Sequence, residues 1–170
     1  MTEQFDVAVE ISVTSHEYGD VDRDLLRGAV QAAISVAQEL QDAPVTGDGG
    51  VTIGLRVTSN EEIHSLNLQF RGVDKPTDVL SFSYIEERGE PAIQVPEWDE
   101  RTALGEIVLA YPIVVSQALE LEHTVLKELA WLTIHGTLQL LGYTHDTETD
   151  AEHMEALEQV ALGRLGMRDD

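Results

Sequence analysis

The feature that most constrains this chain is the apolar stretch from Val125 to Leu141. It predicts a long helix, with Thr124 as its N-cap and Gly142 able to take the left-handed conformation that stops it. The end of that helix carries the pattern H-x3-Q-x2-G-x2-H, from His135 through Gln139 and Gly142 to His145. Positions 135 and 139 are four apart, so they share a helix face about 6 Å apart along the axis. Gly142 lets the backbone reverse, which brings His145 back toward the same point. Histidines at both ends of a helix-plus-turn form a metal-site geometry. Three protein ligands with one open position is the layout of a catalytic zinc site.

The middle position holds glutamine where a third histidine is expected. An amide oxygen is a neutral donor with weaker affinity for zinc than imidazole. Metzincin peptidases share the spacing but place Glu after the first histidine. Here that residue is Gly136, so the general base is missing and peptidase activity is not expected. Two side chains near the motif compete for a role. Asp146 is a replacement ligand, an exposed turn carboxylate or a cap for the next helix; His153 is either near the site or on the surface. His16, His64 and His123 lack ligand spacing and are expected at the surface or in caps.

Ten Lys and Arg stand against 32 Asp and Glu, a net charge of −22. A body that acidic repels polyanions, so any nucleic-acid site has to be a local positive patch. A solvated acidic surface explains the charge without a cationic partner. There are no cysteines, which excludes disulfides and thiolate metal sites. No stretch is apolar enough for a membrane span, and Met1 to Val13 lacks the basic start of a signal peptide. A cytoplasmic location is expected.

Alternation at Val7, Val9, Ile11 and Val13 predicts a strand, and so does alternation at Val51, Ile53, Leu55 and Val57. Between them, Asp20 or Asp22 caps a helix from Val21 to Leu40, and Asp42 to Gly50 form a loop. Ser59 and Glu62 have the form of a capping box that starts a helix to about Phe70. Further strands are expected at Val79 to Tyr84 and Gly105 to Ala110, separated by an acidic loop from Ile85 to Thr102. Helices are expected at Ile113 to Leu121, Val125 to Leu141 and Asp150 to Leu165, the last with Glu on its outer face. With no repeat or linker, this order predicts a single α+β domain over residues 1–170, a small mixed four-stranded sheet with about five helices.

The segment from His135 to Asp146, HGTLQLLGYTHD, resembles the H-G-x-L-H-L-L-G-Y-D-H signature of the YbeY family of bacterial rRNA-maturation endoribonucleases. Asn67 to Phe82, NLQFRGVDKPTDVLSF, resembles that family's loop-and-strand segment. Leu104 to Val108 resembles a third, with Glu106 where the family usually has Asp. The resemblance covers roughly residues 50–165. It implies an α+β metalloprotein with one Zn2+ per chain that cleaves single-stranded RNA. It further implies a part in maturing the 3′ end of 16S rRNA and in ribosome quality control. By position it makes His135 and His145 metal ligands, with Gln139 at the middle ligand's place and Thr144 replacing an Asp. It assigns catalysis to Arg71 and His135, and substrate binding to Arg71 with help from Lys75. Read from the residues alone, Arg71 is either a phosphate clamp or an ion-pair partner of Asp74 or Asp78. The implied partners are ribosomal RNA and the small ribosomal subunit, with room for a protein partner there; neither DNA nor a membrane is expected. Two other functions stay open: a ribosome-associated RNA-binding factor whose metal site Gln139 has weakened, and a metal hydrolase with another substrate.

Overall fold

The alternating valines of the N-terminal stretch form β1 (Val7–Val13). In the computed structural model, residues 6–19, 21–41, 50–84 and 101–167 are described. The expected cap at Asp20, the loop at 42–49 and the acidic loop at 85–100 lie outside these residues. After β1 comes a 3-10 turn at His16–Tyr18, then α1 (Arg23–Gln41). The Asp22 carboxylate accepts from the Leu25 amide at 3.0 Å, so Asp22 caps α1. Next are β2 (Val51–Thr58), α2 (Asn60–Arg71), β3 (Val79–Ser83) and β4 (Thr102–Ala110). Three helices follow: α3 (Tyr111–Glu120), α4 (Val125–Leu140) and α5 (Glu148–Arg164).

The result is the expected α+β architecture, with four strands in a mixed sheet and five α-helices among the described residues. The sheet runs β1-β2-β4-β3. β1, β2 and β4 are parallel, and β3 lies antiparallel on β4 as an edge strand. β4 begins at Thr102, earlier than expected, because its first residues pair with Val51 and Thr52 of β2 across a register shift at Thr52/Ile53. Pairing with a neighbouring strand, not local propensity, decides that boundary.

Successive residues of β4 point to opposite faces of the sheet. Ile107 and Leu109 join a large core built from α1, α4 and α5. Val108 and Ala110 join a smaller cluster with Ile63 of α2 and Leu80 of β3. Ten residues of α4 are buried, which is why that helix reads as apolar nearly all round. Apolar burial of this kind contributes roughly 25 cal/mol per Å² removed from water.

Gly136 brings α4 against the sheet. A Cβ there would lie 2.9 Å from Ile107 Cγ2 and 3.1 Å from Ser81 Oγ. The same contact that seats the helix therefore leaves no room for a Glu after His135. At the end of α4, Tyr143 N donates to Leu138 O at 3.1 Å and Gly142 N donates to Gln139 O at 3.0 Å. With Gly142 at φ +99°, this is a Schellman stop, and it turns the chain back toward the helix.

Candidate active site

The turn brings the two motif histidines together. The ring centres of His135 and His145 are 5.6 Å apart. An ion bonded at about 2 Å to an imidazole nitrogen sits about 3 Å from that ring's centre. The two rings are therefore spaced to share one ion. His135 Nδ1 lies 3.0 Å from Glu158 Oε1. An ionised carboxylate only accepts, so Nδ1 carries the ring proton and the lone pair sits on Nε2. Trp131 Nε1 donates to the other oxygen of Glu158, and its ring centre is 5.6 Å from that of His135. Glu158 is only 4% exposed. The expectation that the glutamates of the last helix face outward therefore fails here: Glu158 shares the buried stripe with Met154, Leu157, Ala161 and Leu162.

Gln139 is the third motif residue. Its Oε1 accepts from the Ser81 hydroxyl at 3.0 Å, a hydroxyl also 3.3 Å from Gly136 O. Ser81 thus orients the amide oxygen, which keeps a second lone pair. Among the described residues no three His, Asp or Glu side chains gather into a metal site. The donor set is two imidazoles and one amide oxygen. It fits a divalent ion, held more weakly than three imidazoles would hold it.

Gln139 and His145 line a cavity of about 290 Å³ together with Arg71, Ser81, Tyr143 and Asp146. Burial pushes the Tyr143 hydroxyl pKa up, so it stays neutral. Arg71 ends α2, where Gly72 at φ +69° closes the helix. Its Nη2 donates to Ser81 O at 2.7 Å. Neither alternative partner takes it: Asp74 pairs with His64 at 2.8 Å, and Asp78 accepts from its neighbour Val79 N at 2.8 Å. Among the described residues Arg71 faces the cavity without a carboxylate partner. Lys75 is exposed in the loop after α2; its carbonyl accepts from Asn67 Nδ2 at 2.8 Å, and it does not line the cavity. Asp146 lines the cavity, and the cap of α5 is Thr147 instead, whose Oγ1 accepts from Asp150 N at 3.0 Å. His153 stacks edge-on against Tyr143, ring centres 5.8 Å apart, and His123 pairs with buried Glu128. His16 sits exposed in the 3-10 turn.

Sequence reasoning missed Glu158, Trp131 and Ser81. Glu158 left one signal, a carboxylate within the apolar stripe of α5. Ser81 left none beyond its place on a strand.

Comparison with known proteins decides the family. The sequence profile described as Endoribonuclease YbeY matches residues 10–166.

The chain belongs to the YbeY family.

A curated Endoribonuclease YbeY of Chloroflexus aurantiacus is 37% identical over 158 residues, covering 92% of this chain and 96% of that protein. The Moorella thermoacetica relative is 44% identical over 122 residues, covering 71% of this chain and 76% of its own. A solution structure of a Thermotoga maritima protein aligns over 95% of this chain and 92% of that one, with a TM-score of 0.53 and 26% identity. The YbeY match runs through every element that builds the cavity. Among the described residues no helix is long and apolar enough to cross a membrane.

Proposed function

We propose that this chain is a metal-dependent endoribonuclease that cuts single-stranded ribosomal RNA in the cytoplasm, at the 3′ end of 16S rRNA on the small ribosomal subunit. The observation that carries this reading is the cavity itself: among the described residues its Arg71 guanidinium has no carboxylate partner, it shares the cavity with His145, and His135 Nδ1 meets Glu158. The family's endoribonuclease name supports the reaction class.

His135 Nε2, His145 and the Gln139 amide oxygen would hold a divalent ion, zinc in the family resemblance. When bound, the ion supplies a Lewis acid at the reacting phosphate. Arg71 binds and orients the phosphate, its fork of donors matching two phosphoryl oxygens, and it neutralises charge that develops there. Its bond to Ser81 O fixes the guanidinium before substrate arrives, so less ordering is needed at the moment of reaction. Glu158 keeps the proton on Nδ1 of His135. Lys75, on the exposed loop beside Arg71, adds local positive charge on an acidic body and steers the polyanion.

The reading in which Gln139 has weakened the metal makes a different forecast for the same experiment. Elemental analysis of protein purified without chelator, with wild type and Gln139→His side by side, separates them. The nuclease reading expects metal in both, bound at least about tenfold more tightly in the variant, and RNA cleavage by both. A wild type that is metal-free and inactive, with metal and cleavage gained only by Gln139→His, sinks it.

A further inference from the structure

β3 is the edge strand, and its residues alternate between two hollows. Ser81 and Ser83 line the cavity of Arg71 and His145. Phe82 points to the other face, into a second, mostly apolar hollow of about 290 Å³ walled by Phe70, Leu66, Tyr84 and Val108 together with the ion-paired Arg56 and Glu106. Phe70 is 60% exposed, the sole aromatic among the strongly exposed apolar side chains of the described residues. Its ring meets that of Phe82 edge-on, centres 5.4 Å apart at 66°, which leaves a face of Phe70 open to solvent.

Arg71 joins the two hollows across the sheet edge. It lines the first, donates to the edge carbonyl of Ser81, and its guanidinium carbon lies 5.9 Å from the centre of the Phe82 ring. A phosphate held by Arg71 thus sits beside an apolar slot with an aromatic floor and an aromatic wall. Proteins that take single-stranded RNA stack splayed bases on such rings, because every base has a π-face whatever its sequence. Stacking also suits a body of charge −22, since the base itself is neutral and adds no electrostatic cost.

We propose that the Phe70–Phe82 hollow is a nucleobase-stacking subsite for the nucleotide next to the phosphate bound at Arg71. This rests on the RNA-cleaving reading of the cavity. Arg71 lines that cavity and sets its guanidinium over the Phe82 ring of the slot, and this shared side chain favours a base of the same strand over an apolar side chain of a protein partner.

A thermodynamic cycle tests it. The substrate is a single-stranded RNA oligonucleotide that the wild type cuts at one bond, together with versions carrying one abasic position on either side of that bond. With wild type, one flanking abasic position is expected to lower kcat/KM about tenfold, mainly through KM. Phe70→Ala is expected to lose a similar factor on intact RNA. Combined, the two changes are expected to cost hardly more than either alone, because both delete the same contact. Phe70→Leu keeps apolar cover over Phe82 without a stacking face and is expected to behave like Phe70→Ala in the cycle, with an unchanged thermal melt. Losses that multiply at every position, or no loss with Phe70→Ala, overturn the subsite while leaving the ribonuclease reading intact. A wild type that cuts no RNA overturns both.

Discussion

His123 and His135 each lean on a buried glutamate, one just before α4 and one near its end. His123 presents Nε2 to Glu128, which is 0% exposed. The Gln117 amide nitrogen, in the orientation that satisfies its hydrogen bonds, donates to the same carboxylate at 3.1 Å and to Asp78 at 3.3 Å. That group ties α3, α4 and the loop before β3 together. His135 instead presents Nδ1 to Glu158, and a second imidazole stands opposite its ring. The chemistry of the two pairs is the same. Which nitrogen meets the carboxylate, and what faces the rest of the ring, separates a fastening from what we propose is a ligand support.

Three changes break or sharpen that contrast, and a fourth serves as a distant control. The largest effect is expected from His135→Ala, which removes one of two imidazoles: metal content falls to near zero and cleavage with it, at a stability cost of about 2 kcal/mol because buried Glu158 also loses a partner. Metal-free protein that cuts RNA at the wild-type rate defeats the metal role. Glu158→Gln should lower metal affinity by roughly 10–100-fold, the usual cost of losing the carboxylate behind a ligating histidine. A competition titration with a chelating dye measures it, and an unchanged affinity places Glu158 with the fastenings. His123→Ala should do the reverse. It takes from a buried carboxylate one of its two partners, costing about 2 kcal/mol of stability in a denaturant melt, with metal affinity unchanged.

The smallest effect lies far from both pairs, at the clasp between α1 and α5. A hydrogen bond from Arg164, and then its charge, hold the Glu39 carboxyl below its ordinary pKa. A carboxyl depressed in the folded state stabilises above its unfolded value of about 4 and loses that contribution as pH falls through the folded value. The pair is exposed, so the effect is small. Glu39→Gln should lower the melting temperature slightly at neutral pH, and the gap should close in acid. A gap that persists at pH 2 rules out the ion pair as its source.

Local rules read the chain well where the cause is local. Ser59 caps α2 through Glu62 N at 3.2 Å and Thr124 caps α4 through Lys127 N at 3.1 Å, both as their residue types require. The capping box at Ser59 is nevertheless half made. Glu62 turns its carboxylate to Arg56 at 2.6 Å and Thr58 at 3.0 Å, since a cation from the neighbouring strand outcompetes a backbone amide. α5 starts at Glu148, not Asp150, because Thr147 is the better-placed cap. On α4, His135 and Gln139 were legible from helical spacing, and His145 from the glycine that turns the chain.

What the chain's order of residues determined by itself is therefore periodic or short-range: the strands by alternation, the apolar α4 by its composition, and the ligand spacing by 3.6 residues per turn. The missing Glu after His135 belongs here too, as Gly136 was legible without coordinates. Only the tertiary structure decided that Glu158 lies behind His135 across 23 residues of sequence, that Ser81 holds the Gln139 amide, and that Arg71 reaches around an edge strand. Those contacts depend on which face of α5 and which edge of the sheet meet α4. Packing of the whole core sets that choice, and no window of the chain encodes it. So the motif at His135, Gln139 and His145 names the proposed donors, while the fold supplies the carboxylate beside His135 and the hydroxyl beside Gln139.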